Sequence, residues 1–136
     1  MARVGARCAR RARAAGFLLL GEVEEGVCCP LSMTFGAVPT LRAEPALAAE
    51  WVPRLTSLSY RDGALCGMAL TERQGGSDVR ANERTARRAG ELWQLDGHKW
   101  FCSAPQSAAF LVVAQAPAGL SCFLVERPQP GSRSTG

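Results

Sequence analysis

Two spacings of apolar residues divide this chain of 136 residues. In residues 2–26, apolar side chains recur every three or four positions, which predicts a long helix with Gly26 as its C-cap. A second, short helix is predicted to begin at Ser32 or Thr34 and to run through Val38, where Pro39 interrupts it. A third is predicted over Pro45–Trp51, ending near Pro53. The first helix is marked by Val4, Cys8, Ala12, Ala15, Leu19 and Val23.

From residue 61 onward the period changes to that of short strands separated by turns. The poorly patterned residues 79–90 are predicted to form a solvated loop that could include a short strand near Thr85. Helices followed by strands indicate an α+β fold. The predicted strands are Leu65–Leu70, Leu92–Leu95, His98–Cys102, Phe110–Gln115 and Leu120–Val125.

Composition narrows the class of protein. With 47% hydrophobic and 21% charged residues, the chain is typical of a folded domain rather than a disordered one. The net charge of +4 is concentrated in residues 1–21, which contain arginines and no acids. A solvated helix face explains these arginines better than an arm that contacts nucleic acid or a membrane surface. An acid-free start rich in arginine also resembles a mitochondrial transit peptide. Because no apolar run is long enough to span a bilayer, we expect no membrane association and a cytoplasmic location.

Six cysteines raise the question of disulfides or a metal site. Cys28 and Cys29 are adjacent, closer than the usual disulfide range. There is no Cys-x-x-Cys pair and only one histidine, so no metal site is expected. We expect Cys66, Cys102 and Cys122 to be reduced and buried in apolar strands.

Residues 67–78 read Gly-Met-Ala-Leu-Thr-Glu-Arg-Gln-Gly-Gly-Ser-Asp, a strand that runs into a turn. Gly75 and Gly76 allow the backbone to approach a bulky ligand, and their amides could form an anion-binding nest. Thr71 and Ser77 add hydroxyl groups. The turn is therefore a candidate site for a flat, phosphorylated ligand, although most turns of this type only connect two elements.

About 25 residues downstream, residues 97–103 read Gly-His-Lys-Trp-Phe-Cys-Ser. If this segment is a strand, Phe101 and Ser103 share one face. That face would offer an aromatic ring beside a hydroxyl, a suitable wall for a heteroaromatic ligand. His98 is interpreted as a structural residue of the strand, and Glu72 as a partner of backbone amides, rather than as catalytic groups.

These two segments resemble the acyl-CoA dehydrogenase flavoproteins, in which a Thr-Glu-x-x-x-Gly-Ser-Asp turn and a Gly-x-Lys-x-aromatic-x-Ser/Thr strand contact FAD. Over roughly residues 9–128, the chain is similar to the adaptive-response, AidB-like branch, which is linked to DNA alkylation. The resemblance implies the end of an N-terminal helical domain (1–60), part of an antiparallel β middle domain (61–127) and a disordered tail (128–136).

By position, the resemblance implies FAD as cofactor. Leu70 and Thr71 would meet the flavin ring, and Ser77 would lie near the pyrophosphate or the acyl-CoA. Phe101 would pack on the ring, with Ser103 near N5. The full set of implied FAD-binding residues is Met68, Ala69, Leu70, Thr71, Gly76, Ser77, Phe101, Cys102 and Ser103.

The same resemblance implies what lies outside the chain. In the family, a glutamate of a C-terminal helical domain is the general base, and that domain also supports tetramer formation. No catalytic residue is therefore assigned here, and we expect a fragment that is inactive alone. Two functions remain open for the complete protein: α,β-dehydrogenation of an acyl-CoA, or a DNA-alkylation response in which FAD is mainly structural and DNA binds to the C-terminal domain.

Overall fold

Three α-helices precede the strands in the structure, a computed structural model that describes residues 5–127. Helix α1 spans Ala6–Val23, α2 spans Cys28–Leu41 and α3 spans Pro45–Leu55. Single 3₁₀ turns lie at Glu25–Val27 and Val79–Ala81. The predicted disordered tail lies outside the described residues.

The helix boundaries differ from the prediction at the glycine and proline positions. Helix α1 ends at Val23, and Gly26 donates its amide to the Glu24 side chain at 2.9 Å within a 3₁₀ turn, so it is not the C-cap. Helix α2 begins before Ser32, because Pro30 lies in its first turn, where backbone amides have no intrahelical acceptor. Pro39 and Pro53 lie near the ends of their helices, which continue past them.

In the described part of the chain, five strands form one mixed sheet, in which β4 pairs with three of the others. Strand β4 pairs in parallel with β1 and antiparallel with β5, and β2 joins it in parallel through Thr85 and Gln115. Strands β2 and β3 form an antiparallel hairpin. The α+β fold is confirmed, although the sheet is mixed rather than wholly antiparallel. The strands are β1 Cys66–Ala69, β2 Thr85–Ala89, β3 Leu92–Asp96, β4 Ala109–Ala116 and β5 Gly119–Glu126.

The predicted strand His98–Cys102 is wrong. These residues lie outside every helix and strand, as part of a loop that follows β3. Gly97 has a φ of +145°, and a Cβ there would lie 1.9 Å from Cδ of Arg84. A glycine at this position therefore lets the chain leave the sheet while passing close to the Arg84 side chain. The argument that Phe101 and Ser103 share one strand face fails with the strand.

The main core lies between α2, α3 and the start of the sheet. Trp51 of α3 is 1% exposed, and it belongs to a cluster of buried side chains. Helix α1 contributes little to this cluster and leaves Leu18, Leu19 and Val23 exposed. The cluster contains Ala37, Leu41, Trp51, Leu55, Cys66, Ala109 and Leu111.

Thr34 joins α2 to the outer edge of β1. Its Oγ1 accepts from the Cys66 amide at 3.1 Å and also donates to the Pro30 carbonyl at 2.8 Å. Both Thr34 and Cys66 are buried. Since no other strand covers this edge of β1 among the described residues, the threonine hydroxyl satisfies an amide that would otherwise be buried without a partner.

The cysteines follow the burial prediction only in part. Cys66 is buried, and burial raises the pKa of its thiol to about 11. Cys102 and Cys122 are exposed, contrary to the prediction. Cys102 is exposed because its segment lies in a loop and not in the sheet. Within residues 5–127 no helix is both long and apolar enough to cross a membrane, and no three potential metal ligands cluster.

We predict that Thr34→Val lowers the free energy of unfolding by about 1–3 kcal/mol, because the Cys66 amide loses its acceptor in a buried position. Thr40→Val is the matched control, since its hydroxyl bonds to Gly36 on the exposed side of the same helix. The control should change stability by less than about 0.5 kcal/mol. Urea unfolding of both variants checks this, and equal losses would contradict the assigned role.

Candidate functional site

The end of β1 divides interior residues from residues at the surface. Ala69 is buried, and Met68 packs on the core, with its Cε 3.1 Å from where a Cβ on Gly36 would lie. Leu70 and Thr71 are half-buried. Met68, Leu70 and Thr71 are thus all half-buried, but the Met68 side chain packs toward Gly36 of α2.

Glu72 is a buried carboxylate at the turn that follows β1. It is 1% exposed, and its Oε2 accepts from the Glu83 amide at 2.8 Å. Its Oε1 accepts from Lys99 Nζ at 2.7 Å and from the Arg84 amide at 3.4 Å. The expectation that Glu72 binds backbone amides is confirmed, and Lys99 is a partner that the sequence interpretation missed.

The charges around Glu72 keep it ionised. Burial by itself would raise the pKa of the carboxyl group. The Lys99 ammonium and two backbone amides outweigh burial, so that the pKa lies below its ordinary value of 4.5. A carboxylate held in this way is a poor general base, because its ionised form is already stabilised.

The glycine turn is closed by hydrogen bonds of its own. The Gly75 amide donates to the Glu72 carbonyl at 3.0 Å, so it is not free for the predicted anion-binding nest. A Cβ on Gly76 would lie 2.5 Å from Thr71 Oγ1, so a larger residue there would displace the Thr71 side chain. Ser77 is exposed, and Asp78 accepts from the Arg80 amide, as the capping interpretation expected.

A polar network holds the chain between this turn and β2. The Asn82 amide group donates to the Leu70 carbonyl at 2.9 Å. The Gln115 side chain of β4 donates to the carbonyls of Arg80 and Asn82 at 3.1 and 3.0 Å. Because β1 pairs with β4 as far as Val112 and β2 pairs with it at Gln115, the turn lies at the gap between the two strands.

The structure brings the second motif against the first. The Trp100 amide donates to the Thr71 carbonyl at 2.9 Å, and Lys99 Nζ lies 3.5 Å from the Leu70 carbonyl. The two predicted motifs therefore meet, although they do so through a loop rather than through a strand. Lys99 is the one lysine of the sequence and lies among aromatic residues, which is a signal that could have pointed to this link.

Two exposed aromatic residues, Trp100 and Phe101, lie where the second motif bonds to the Thr71 carbonyl. Phe101 is 82% exposed and Trp100 42%, and their ring centroids are 5.8 Å apart in an edge-on arrangement. Phe101 also has a φ of +53°, an uncommon conformation for a bulky residue. Strained backbone of this kind is concentrated at ligand sites, and an exposed apolar pair suits a ligand with a flat ring.

Cys102 and Ser103 continue this segment toward α2. Both are exposed. Ser103 lines a shallow cavity of 380 Å³ together with Cys29 and Pro30 of the first turn of α2. The hydroxyls of Thr71 and Ser103 are thus carried by adjoining segments, but their spacing is set by the loop and not by strand geometry.

The residues that match known proteins cover both halves of the chain. Residues 67–136 match the acyl-CoA dehydrogenase middle domain, and residues 4–62 match the N-terminal domain of the adaptive response protein AidB. This chain belongs to the acyl-CoA dehydrogenase family. Within the family it is similar to AidB of Escherichia coli strain K12, with 47% identity over 88% of this chain and 24% of that protein.

Solved structures agree with this assignment. ACDH-11 of Caenorhabditis elegans, in complex with C11-CoA, matches 74% of this chain and 20% of its own length, with 33% identity and a TM-score of 0.67. A glutaryl-CoA dehydrogenase of Mycobacterium smegmatis in complex with FADH2 matches 63% of this chain and 22% of its own, with 32% identity and a TM-score of 0.54. The chain thus spans about a quarter or less of these relatives.

We predict that Glu72→Gln removes an acid-dependent part of the stability. A carboxyl group with a lowered folded pKa stabilises the fold above its unfolded pKa, and this contribution is lost as the pH falls through the folded value. The wild type should therefore lose stability below about pH 4.5, close to the ordinary carboxyl pKa. The variant should be less stable by about 1.5–3 kcal/mol at neutral pH, with a flatter acid profile.

Urea unfolding at a series of pH values measures this profile. Glu83→Gln is the matched control, because the Glu83 side chain is exposed while its amide still donates to Glu72. The control should follow the wild-type curve. An acid profile of Glu72→Gln that parallels the wild type would show that this carboxylate does not carry the effect.

Proposed function

We propose that this chain supplies FAD-holding segments of an acyl-CoA dehydrogenase-like oxidoreductase. The observation that carries the proposal is the hydrogen bond from the Trp100 amide to the Thr71 carbonyl at 2.9 Å. It places an exposed aromatic pair beside a hydroxyl-bearing turn, within a fold shared with a relative solved with FADH2.

The residues present fit a flavin. Phe101 and Leu70 offer apolar surface for the isoalloxazine ring, and the Thr71 hydroxyl, held close to Gly76, can donate to the edge of the ring. The exposed Ser77 can bind the pyrophosphate or an acyl-CoA, and the exposed Ser103 can donate to the ring from the second segment. When bound, FAD would accept the hydride; the protein groups orient it and adjust its electronics.

The proposed substrate of the complete protein is an acyl-CoA. Support comes from the binding of C11-CoA by the related ACDH-11. Glu72, the carboxylate nearest the site, is engaged by Lys99 and by backbone amides, so we assign it no role as base. In the complete protein, the general base and the contacts that form a tetramer would come from a further helical domain.

The match of residues 4–62 to the AidB N-terminal domain supports a second candidate, a role in the response to DNA alkylation. In that case FAD would be mainly structural, and DNA would bind to a further domain. Titration of this chain with duplex DNA at several salt concentrations tests whether DNA binds to this chain or to the further domain. Tight, strongly salt-dependent binding would place the DNA contact in this chain instead, on the arginines of α1.

We predict that the double variant Thr71→Val and Ser103→Ala binds FAD about tenfold or more weakly than the wild type, because two hydroxyl donors to the flavin are lost. Bound flavin should also show displaced absorbance maxima. Equilibrium dialysis of the whole chain with FAD, followed by absorbance spectroscopy, measures both effects.

The matched control is the double variant Thr40→Val and Ser121→Ala. Both hydroxyls bond only to nearby backbone carbonyls, on α2 and on β5. This control should bind FAD as the wild type does. If the wild-type chain takes up no FAD, the proposed function is contradicted; equal binding by both double variants would show that the ring lies elsewhere.

A further inference from the structure

The segment that carries the exposed aromatic residues is held by few interactions. Residues 97–104 belong to no helix or strand, and the Trp100 amide makes a single backbone hydrogen bond to the β1 turn. The side chain of Lys99, which is 12% exposed, reaches the same turn and lies 2.7 Å from Glu72 Oε1. Within the described chain, these contacts of Lys99 and Trp100 are the ones that join the segment to the turn.

The other side of this link is fixed. The Glu72 carboxylate is 1% exposed, and its two oxygens accept from the amides of Glu83 and Arg84 just before β2. Its position is therefore determined by the backbone next to the sheet. Because the carboxylate is fixed in this way, its attraction for the Lys99 ammonium determines where the Lys99 side chain lies.

Arg84 does not perform the same task. Its Nε lies 3.9 Å from Glu72 Oε2, and its side chain is 40% exposed. At 3.9 Å this contact is too long for a hydrogen bond, and Arg84 Nε has no hydrogen-bond partner among the described residues, whereas the Lys99 bond is short and charge-assisted. The Arg84 stem packs close to Gly97, but among the described residues its guanidinium makes no hydrogen bond that links Glu72 to Trp100–Ser103.

We propose that the Glu72–Lys99 ion pair is a positioning device that holds the Trp100–Ser103 segment in register with the Thr71 turn for binding of flavin. Glu72 directly follows Thr71, and Lys99 directly precedes Trp100. The ion pair therefore lies next to the backbone bond between Thr71 and Trp100. Lys99 and Glu72 are positioning residues, since neither is assigned to the ligand. This inference rests on the proposed function, because the segment is taken to contact FAD.

The test compares Lys99→Met with Arg84→Met in the whole chain. Methionine keeps most of the apolar stem of either residue and removes the charge. Two readouts are measured: amide hydrogen exchange at Trp100, which needs no ligand, and FAD affinity with the absorbance spectrum. In Lys99→Met, exchange at Trp100 should accelerate while amides of β4 and β5 keep their protection, and FAD should bind about tenfold more weakly.

The outcomes separate the inference from the proposed function. Arg84→Met should match the wild type in both readouts, and Lys99→Arg should restore part of the protection at Trp100. Unchanged exchange at Trp100 in Lys99→Met, or an equal loss of protection throughout β4 and β5, would overturn the positioning role. A wild-type chain that binds no FAD would overturn the proposed function, whereas exchange at Trp100 would still report whether the ion pair orders the segment.

Discussion

The arrangement of this site depends on one buried carboxylate. Glu72 is placed where β1 ends, and it joins the turn after β1, the backbone before β2 and the segment after β3. Burying a charge is costly unless the surrounding groups satisfy it, and here an ammonium and two amides do so. The same three bonds that satisfy the charge also hold the two ends of the β1–β2 connection together and attach the segment after β3 to them.

The sheet explains why a loop junction can be so well ordered. Strand β4 is paired with β1 over one part of its length and with β2 beyond it, which leaves a gap where the turn crosses. Side-chain amides of Asn82 and Gln115 fill that gap by bonding to backbone carbonyls. Loop backbone of this kind is normally solvated and mobile, but here its polar groups have partners within the protein. Rigid support beneath exposed aromatic residues is what a binding surface requires.

The sequence was sufficient for the order of helices and strands and for the two motifs, because apolar spacing and glycine-rich turns are local signals. Helix limits at Pro30, Pro39 and Pro53 were misjudged, since proline is tolerated near helix ends and only the tertiary structure shows where an end lies.

The segment around Phe101 alternates like a strand, yet it lacks a strand partner in the described residues, and pairing is a long-range property. The link between Glu72 and Lys99 is long-range too, because its partners are 27 positions apart in the sequence. The resemblance supplied the FAD residues, but not which of them face the surface: Met68 packs inward and Phe101 outward.

The bond between Thr34 and Cys66 also bears on how the sheet meets other chains. Strand β1 lies at an edge, and an edge strand with free amides is a template onto which a foreign strand can add. Here the first outward-facing amide is occupied by a hydroxyl from α2, and the helix itself lies against that side. By covering this edge, α2 blocks the addition of a strand from another molecule to the four-residue strand β1. An uncovered edge strand would be a site for aggregation.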